Sequence, residues 1–262
     1  MATKALFFDV DGTLVSFKTH LIPDSTVEAL TQAKERGVKI FIATGRPTQF
    51  ITNLGQIEHL VDGWVTTNGA NCFIGDNTIR RKVFSREEVM KLLDYSDVEG
   101  FPTIIVGSKD IAVHNYCKHV DDIFRQGLGV VDIDFSRYDI TDLEGQDILQ
   151  LTPFCSSEQE AYIVPRMGQC ISGRWCNEFT DITVKGADKG EGVAAMAEYI
   201  GIDISETMAF GDGGNDNTMI ARAGIGIAMG NANEKTKLIA DYITDHIDEN
   251  GVSNALLHFG VI

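Results

Sequence analysis

Leu6-Phe7-Phe8-Asp9-Val10-Asp11-Gly12-Thr13-Leu14 opens the chain as an apolar run that breaks into two carboxylates one residue apart, followed by Gly-Thr. Bulky and β-branched residues in so short a run predict a buried strand ending near Val10. Residues i and i+2 of a strand share a face, but a turn at Gly12 rotates Asp11 away from Asp9. Two acids this close repel, and a divalent cation between them is one solution. A pair of solvated turn acids is the other, because Asp-Gly is also an ordinary turn pair.

Working outward, the segment Thr26–Arg36 has helical spacing, with Asp24 or Ser25 to cap it and Gly37 to end it. Val38–Ala43 reads as a second strand and runs into Thr44-Gly45-Arg46-Pro47. Pro47 suits the first turn of a helix, which is expected to continue to about Leu60. Trp64–Thr67 is a third strand, ending at Asn68-Gly69-Ala70. This β-α-β-α-β alternation implies α/β architecture with a parallel sheet. Ligands of such sheets bind beyond the carboxyl ends of the strands. Asp9, Asp11, Thr44 and Asn68 all fall at that edge.

The rhythm then changes. Cys72–Ile74 and Ile79–Phe84 form a hairpin pattern around Gly75-Asp76-Asn77, and Ser85–Glu88 has the form of a capping box. Short strands are expected near Thr103–Val106, Ile111–His114 and Ile148–Phe154, with a helix near Ser156–Met167 and strand-like pieces from Ile171 to Val184. Residues 82–183 therefore read as an inserted α+β domain, and residues 1–81 with 184–262 as the core. The α/β pattern resumes with a helix opened by Asp188-Lys189-Gly190 and a strand Thr207–Phe210 that ends in Gly211-Asp212-Gly213-Gly214-Asn215-Asp216. A strand at Ile225–Met229, a helix from near Asn233, a short strand at Tyr242-Ile243 and a closing helix complete the chain.

Composition bounds the function. The 262 residues suit one large domain or one domain carrying an insertion. A net charge of −16 repels nucleic acid and anionic membranes, so neither is expected as a partner. No apolar run approaches the roughly 18 residues of a membrane span. The start of the chain does not read as a signal peptide. Five cysteines with no C-x-x-C pair suggest reduced thiols in a cytoplasmic protein. The six histidines show no repeated spacing and receive no role.

Three strand ends now carry acids or small polar groups: Asp9 and Asp11, Thr44 and Gly45, and Asp212 with Asn215 and Asp216. Carboxylates without Cys or His beside them favour a hard cation such as Mg2+. Lys189 at a helix start adds positive charge and backbone N–H groups suited to phosphate. Each also has a plainer reading. Thr44 serves equally as a cap before Pro47, Lys189 as a solvated first-turn lysine, and Asn215 as a helix cap. Arg46 reads as a structural or rim charge, and Asn68-Gly69-Ala70 as a turn or a substrate contact.

In order and spacing, these segments resemble the four motifs of the haloacid dehalogenase superfamily of phosphohydrolases. Asp9–Thr13, Thr44–Arg46, Lys189-Gly190 and Gly211–Asp216 stand for motifs I to IV. The insertion resembles the type IIB cap of the Cof-type sugar-phosphate phosphatases. The resemblance implies a Rossmann-like doubly wound parallel sheet core with an inserted α+β cap of type C2B. It implies a Mg2+-dependent phosphatase acting on small phosphorylated metabolites through an aspartyl phosphate. Asp9 would be nucleophile and metal ligand, and Asp11 the acid/base whose backbone carbonyl also meets the metal. Asp212 and Asp216 would complete the metal site. Val10 through its N–H, Thr44, Gly45, Lys189 and Asn215 would hold the phosphate. A type IIB phosphomutase, which also carries Asp-Val-Asp-Gly-Thr, is the nearest rival, and a non-catalytic binding module the more distant one. Trp175, Cys176, Asn177 and Glu178 either face the leaving group or pack within the cap. A monomer is the expected state.

Overall fold

The protein is described by a computed structural model, which covers residues 2–124, 133–174 and 176–262. It divides into two compact units, one of Met1–Arg46, Ile51–Arg81 and Ala187–Ile262, the other of Pro47–Phe50 and Lys82–Gly186. Two short pieces expected in the core, Pro47–Phe50 and Val184–Gly186, thus group with the inserted unit. Phe50 packs into that unit's aromatic cluster, its ring tilted against that of Phe124 with centroids 5.5 Å apart.

In chain order the elements are β1 (Ala5–Phe8), α1 (Asp24–Glu35), β2 (Lys39–Ala43), β3 (Gly63–Thr66), β4 (Asn71–Ile74) and β5 (Asn77–Arg81). The inserted unit adds α2 (Arg86–Glu99), β6 (Thr103–Gly107), β7 (Ile111–His114), α3 (Lys118–Asp122), β8 (Ile148–Pro153), α4 (Ser157–Met167), β9 (Cys170–Gly173) and β10 (Asp181–Val184). The chain ends with α5 (Lys189–Tyr199), β11 (Thr207–Gly211), α6 (Asn217–Arg222), β12 (Ile225–Ala228), α7 (Glu234–Ile239), β13 (Tyr242–Ile243) and α8 (Gly251–His258).

The first unit is built on a sheet of order β13-β12-β11-β1-β2-β3-β4-β5. It is parallel from β13 to β3 and antiparallel through β4 and β5. β1 lies in the middle, and its four residues are fully buried. Their alternation sorts the two faces of the sheet. Leu6 and Phe8 join the core cluster under α1 and α8, whereas Ala5 and Phe7 join the cluster under α5 and α6. Phe8 stacks on Phe210 of β11 at 4.7 Å, and Phe7 on Phe41 of β2 at 4.8 Å. This is a doubly wound α/β sheet, and it sets the carboxyl ends of β1, β2, β3 and β11 side by side.

The helix expected from Pro47 to Leu60 does not form. Only two short 3-10 turns occur there, Thr48–Phe50 and Glu58–Leu60. Thr52, Asn53 and Gly55 are poor helix formers and break the register. Thr44 therefore has no α-helix to cap. Its hydroxyl instead accepts the Arg46 N–H at 3.1 Å.

The inserted unit has a five-stranded antiparallel sheet of order β7-β6-β8-β10-β9. α2 and α4 pack on one face through Leu92, Leu93 and Ile163 against Ile105, Leu151 and Ile182. Both helices open with complete capping boxes, Ser85 with Glu88 and Ser156 with Gln159. Trp175 lies outside the described residues. Cys176 and Asn177 give their carbonyls to Arg174, and Glu178 pairs with His119 at 3.1 Å, all within the unit.

Candidate active site

The chain leaves β1 at Asp9, whose N–H donates to Phe210 of the neighbouring strand at 3.0 Å. It then folds tightly, with the Val10 carbonyl accepting from Leu14 and Val15 at 3.0 and 2.8 Å. Gly12 makes this turn at φ +84°, and a Cβ there would lie 2.3 Å from an Asp212 carboxylate oxygen. Only glycine allows both the left-handed backbone and the close approach of the two strand ends.

Lys189 is the first residue of α5 and is completely buried. Its Nζ donates to Asp9 Oδ1 and to Asp216 Oδ1, each at 2.6 Å. The other Asp216 oxygen accepts the N–H groups of Asp212 and Gly213 at 2.9 and 2.8 Å. Asp216 is thus occupied on both oxygens: it fixes the β11–α6 loop and holds the lysine. The solvated-lysine reading fails because the ammonium has no exposure. Asp188 caps α5 by accepting the Glu191 N–H at 2.9 Å.

Asp9, Asp212 and Asp216 bring carboxylate oxygens within 4.8 Å of one another. Burial, then the Asp216 charge, drives the Asp9 carboxyl well above the usual carboxylate range, against the pull of Lys189. Burial and Asp216 push the Asp212 carboxyl up to about 7. Burial opposes the charge on Lys189, yet Asp216 and Asp9 together hold its ammonium protonated beyond the ordinary lysine range. One lysine does not balance three acids. A hard, all-oxygen donor set short of positive charge fits a divalent cation.

The remaining predicted residues fall around this cluster. Thr44 is buried behind the loop after β2, with its N–H on Val65 at 2.8 Å. Asn215 lies on the motif beyond β11 and donates to Asn68 at 3.1 Å. A Cβ on Gly45 would sit 3.1 Å from Asn68 and 3.3 Å from Asn215, so this glycine opens the space between them.

Three residues carry more than their sequence signal offered. Arg46 holds Asp11 in a two-pronged pair, Nε to Oδ2 and Nη2 to Oδ1, both at 2.7 Å. Such a fork fixes the plane of a carboxylate as a lysine cannot. Asn231, just after β12, donates to the Gly12 carbonyl at 2.7 Å and accepts the Ile247 N–H at 3.0 Å. Its position at the end of a parallel strand was the available signal. Asn68 is the third.

A predominantly parallel sheet with this acid-crowded edge and an inserted α+β unit defines an α/β phosphohydrolase. Residues 6–256 match the haloacid dehalogenase-like hydrolase family, and the chain belongs to it. A candidate phosphatase of Bacillus subtilis, YkrA, is 31% identical over 264 residues, covering 100% of both chains. Among solved structures, the subclass IIB sugar phosphatase BT4131 superposes with a TM-score of 0.89 at 45% identity, over 99% of this chain and 100% of that one. BT1666 of Bacteroides thetaiotaomicron, a phosphatase of the same superfamily, superposes at 0.87 with 34% identity, over 100% and 96%. No helix among the described residues is long and apolar enough to cross a membrane.

Removing the lysine charge is expected to expose the strain in this cluster. In Lys189→Met, Asp9 and Asp216 lose their buried partner, which costs about 3–5 kcal/mol in comparable pairs. Asp9, already raised by burial and the Asp216 charge, then holds a proton that the unfolded chain releases. The loss, read by urea denaturation, is therefore largest at pH 8 and shrinks toward pH 5 as Asp9 protonates. A loss independent of pH would show that the lysine acts by packing alone.

Proposed function

We propose that the enzyme is a Mg2+-dependent phosphatase of small phosphorylated metabolites, with sugar phosphates foremost, working through a phosphoaspartate on Asp9. The observation that carries this reading is the buried Lys189 clamped between Asp9 and Asp216 beside Asp212. It supports a carboxylate held rigidly next to fixed positive charge at a sheet edge. Asp9 attacks phosphorus, and the ester P–O bond breaks as Asp11 gives its proton to the departing alcohol. Water then attacks the phosphoaspartate while Asp11 takes its proton, releasing inorganic phosphate and free Asp9. The Val10 N–H, Thr44, Gly45, Lys189 and Asn215 hold the phosphoryl oxygens. Arg46 holds the ionised Asp11 carboxylate in one plane between the two proton transfers.

Asp9, the Asp11 carbonyl and Asp212 would hold Mg2+, with Asp216 acting through Lys189. Bound there, the cation supplies the positive charge that lets an anionic carboxylate approach an anionic phosphate. Without such charge the approach is prohibitive: one pair of like unit charges about 4 Å apart costs roughly 4 kcal/mol at an effective dielectric near 20, and a dianion about doubles it.

The likeness to a sugar phosphatase supports hexose phosphates as the first substrates to assay. The short Gly211–Asp216 segment favours hydrolysis over mutase chemistry. Incubated with a hexose phosphate and Mg2+, the enzyme is expected to release free phosphate. An isomeric sugar phosphate formed only with added bisphosphate would make it a mutase instead, and no turnover of any phosphate ester would leave a binding module. We propose a cytoplasmic location, in keeping with five free cysteines, and a monomer as the state to test.

A further inference from the structure

We propose that Asn68 is a positioning residue: it sets the Asn215 amide for phosphate from a strained turn that ties the motif loops together. The proposal rests on the reading of Asn215 as a phosphate ligand.

Beyond β3 the chain makes three consecutive left-handed residues, Thr67 at φ +54°, Asn68 at +51° and Gly69 at +84°. Glycine takes this conformation freely, and asparagine tolerates it. For a β-branched threonine it is a true outlier. Thr67 is also buried, and its hydroxyl has no hydrogen-bond partner. Backbone strain and an unpaired buried hydroxyl persist only where the surroundings over-determine them, and such places gather at functional sites.

The surroundings here are the motif loops. The Thr67 N–H donates to the Arg46 carbonyl at 3.0 Å, and the Asn68 N–H to the Thr44 carbonyl at 3.1 Å. Both bonds land on the loop that carries Thr44, Gly45 and Arg46. Gly69 presses against the backbone of Asp188, the cap of the lysine helix: a Cβ there would be 2.2 Å from the Asp188 carbonyl oxygen. The Asn68 side chain then reaches the third segment, accepting from Asn215 Nδ2 at 3.1 Å. One short turn thus touches the segments bearing Thr44, Lys189 and Asn215.

The hydrogen bond fixes the rotation of the Asn215 amide. With its oxygen-to-nitrogen direction set by Asn68, the amide has one orientation to offer an anion above Gly45. A ligand that holds phosphate in both the ground state and the transition state affects KM more than kcat. Losing one orienting hydrogen bond should then raise KM about fivefold.

The test is Asn68→Gly, which keeps the left-handed backbone and removes only the side chain. Its melting temperature is expected to equal or exceed that of the wild type. KM for p-nitrophenyl phosphate and the inhibition constant of inorganic phosphate are each expected to rise about fivefold, with kcat within about twofold. Asn215→Ala is expected to raise both at least as much. Adding Asn68→Gly to Asn215→Ala should then change neither by more than about twofold, because the two residues act as one unit. Equal effects of Asn68→Gly in both backgrounds, or no effect in either, overturn the proposal. If Asn215→Ala itself leaves KM and phosphate inhibition unchanged, the phosphate reading of Asn215 falls and takes the proposal with it. Should Asn68→Gly fail to fold, Asn68→Ser, too short to reach Asn215, answers the same question.

Discussion

Asp9→Asn is expected to lower phosphate release by about 10^4-fold or more while leaving the fold intact and, at alkaline pH, more stable. On the proposed mechanism the activity loss follows because an amide cannot form the phosphoaspartate. The stability gain follows from the burial of Asp9. Burial and the Asp216 charge raise the Asp9 carboxyl well above its ordinary value. The folded state therefore binds a proton that the unfolded chain has released. Stability conferred by this group falls as pH rises from the ordinary carboxylate range toward the raised value, and stays low above it. An amide at position 9 still accepts from Lys189 and carries no charge, so that fall disappears. Melts in the absence of divalent cation should show the variant overtaking the wild type between pH 5 and pH 8. Such a gain at a site whose arrangement serves activity is the familiar trade between stability and function. Retention of more than a few per cent of activity with p-nitrophenyl phosphate would remove Asp9 from the nucleophile's role.

Much of the fold is legible in the sequence because its strands are short, apolar and bounded by turn residues. Ala5–Phe8 in β1, Ile40–Ala43 in β2 and Met208–Phe210 in β11 are buried on both faces, so each reads as an unbroken apolar run followed by Asp, Thr or Gly. The capping boxes at Ser85 and Ser156 are local codes, and local codes survive folding unchanged. Pro47–Leu60 fails for the opposite reason. A proline at a favourable position promised a helix, but nothing in the following residues sustains one. The neighbourhood of Asp9, Lys189, Asp212 and Asp216 is foreshadowed by topology, since parallel strands bring their ends to one edge. The partners that fix those side chains are not foreshadowed. Arg46 lies 35 positions from Asp11 and Asn231 lies 219 from Gly12, and only the tertiary structure joins them. The strain at Thr67 is equally silent, because nothing in Thr-Asn-Gly distinguishes a left-handed threonine from one that ends a strand.

Removal of divalent cation is expected to be the other large effect, lowering turnover by about 10^3-fold or more, with recovery on adding Mg2+. Asp212 supplies the means to tie that loss to this cluster. Its carboxyl, pushed up to about 7 by burial and Asp216, is half protonated near neutral pH when no cation is present. A cation that binds the ionised carboxylate must displace that proton. Through this proton alone its affinity should rise about tenfold per pH unit below 7, and the raised Asp9 carboxyl adds to that rise. The gain in melting temperature on adding millimolar Mg2+, measured against equal ionic strength in sodium salt, should accordingly be larger at pH 8 than at pH 6. Asp212→Asn removes both the proton and the charge. Its Mg2+-dependent gain should be small at both pH values, and its turnover should stay low at saturating Mg2+. Thr13, at 3.5 Å from one Asp212 oxygen, and Asn231, at 3.4 Å from the other, give that carboxylate few hydrogen bonds to keep it ionised alone. A wild-type melting shift equal at pH 6 and pH 8, or full Mg2+-dependent turnover in Asp212→Asn, would separate the acid cluster from the cation and leave Lys189 as the buried counter-charge for the incoming phosphate.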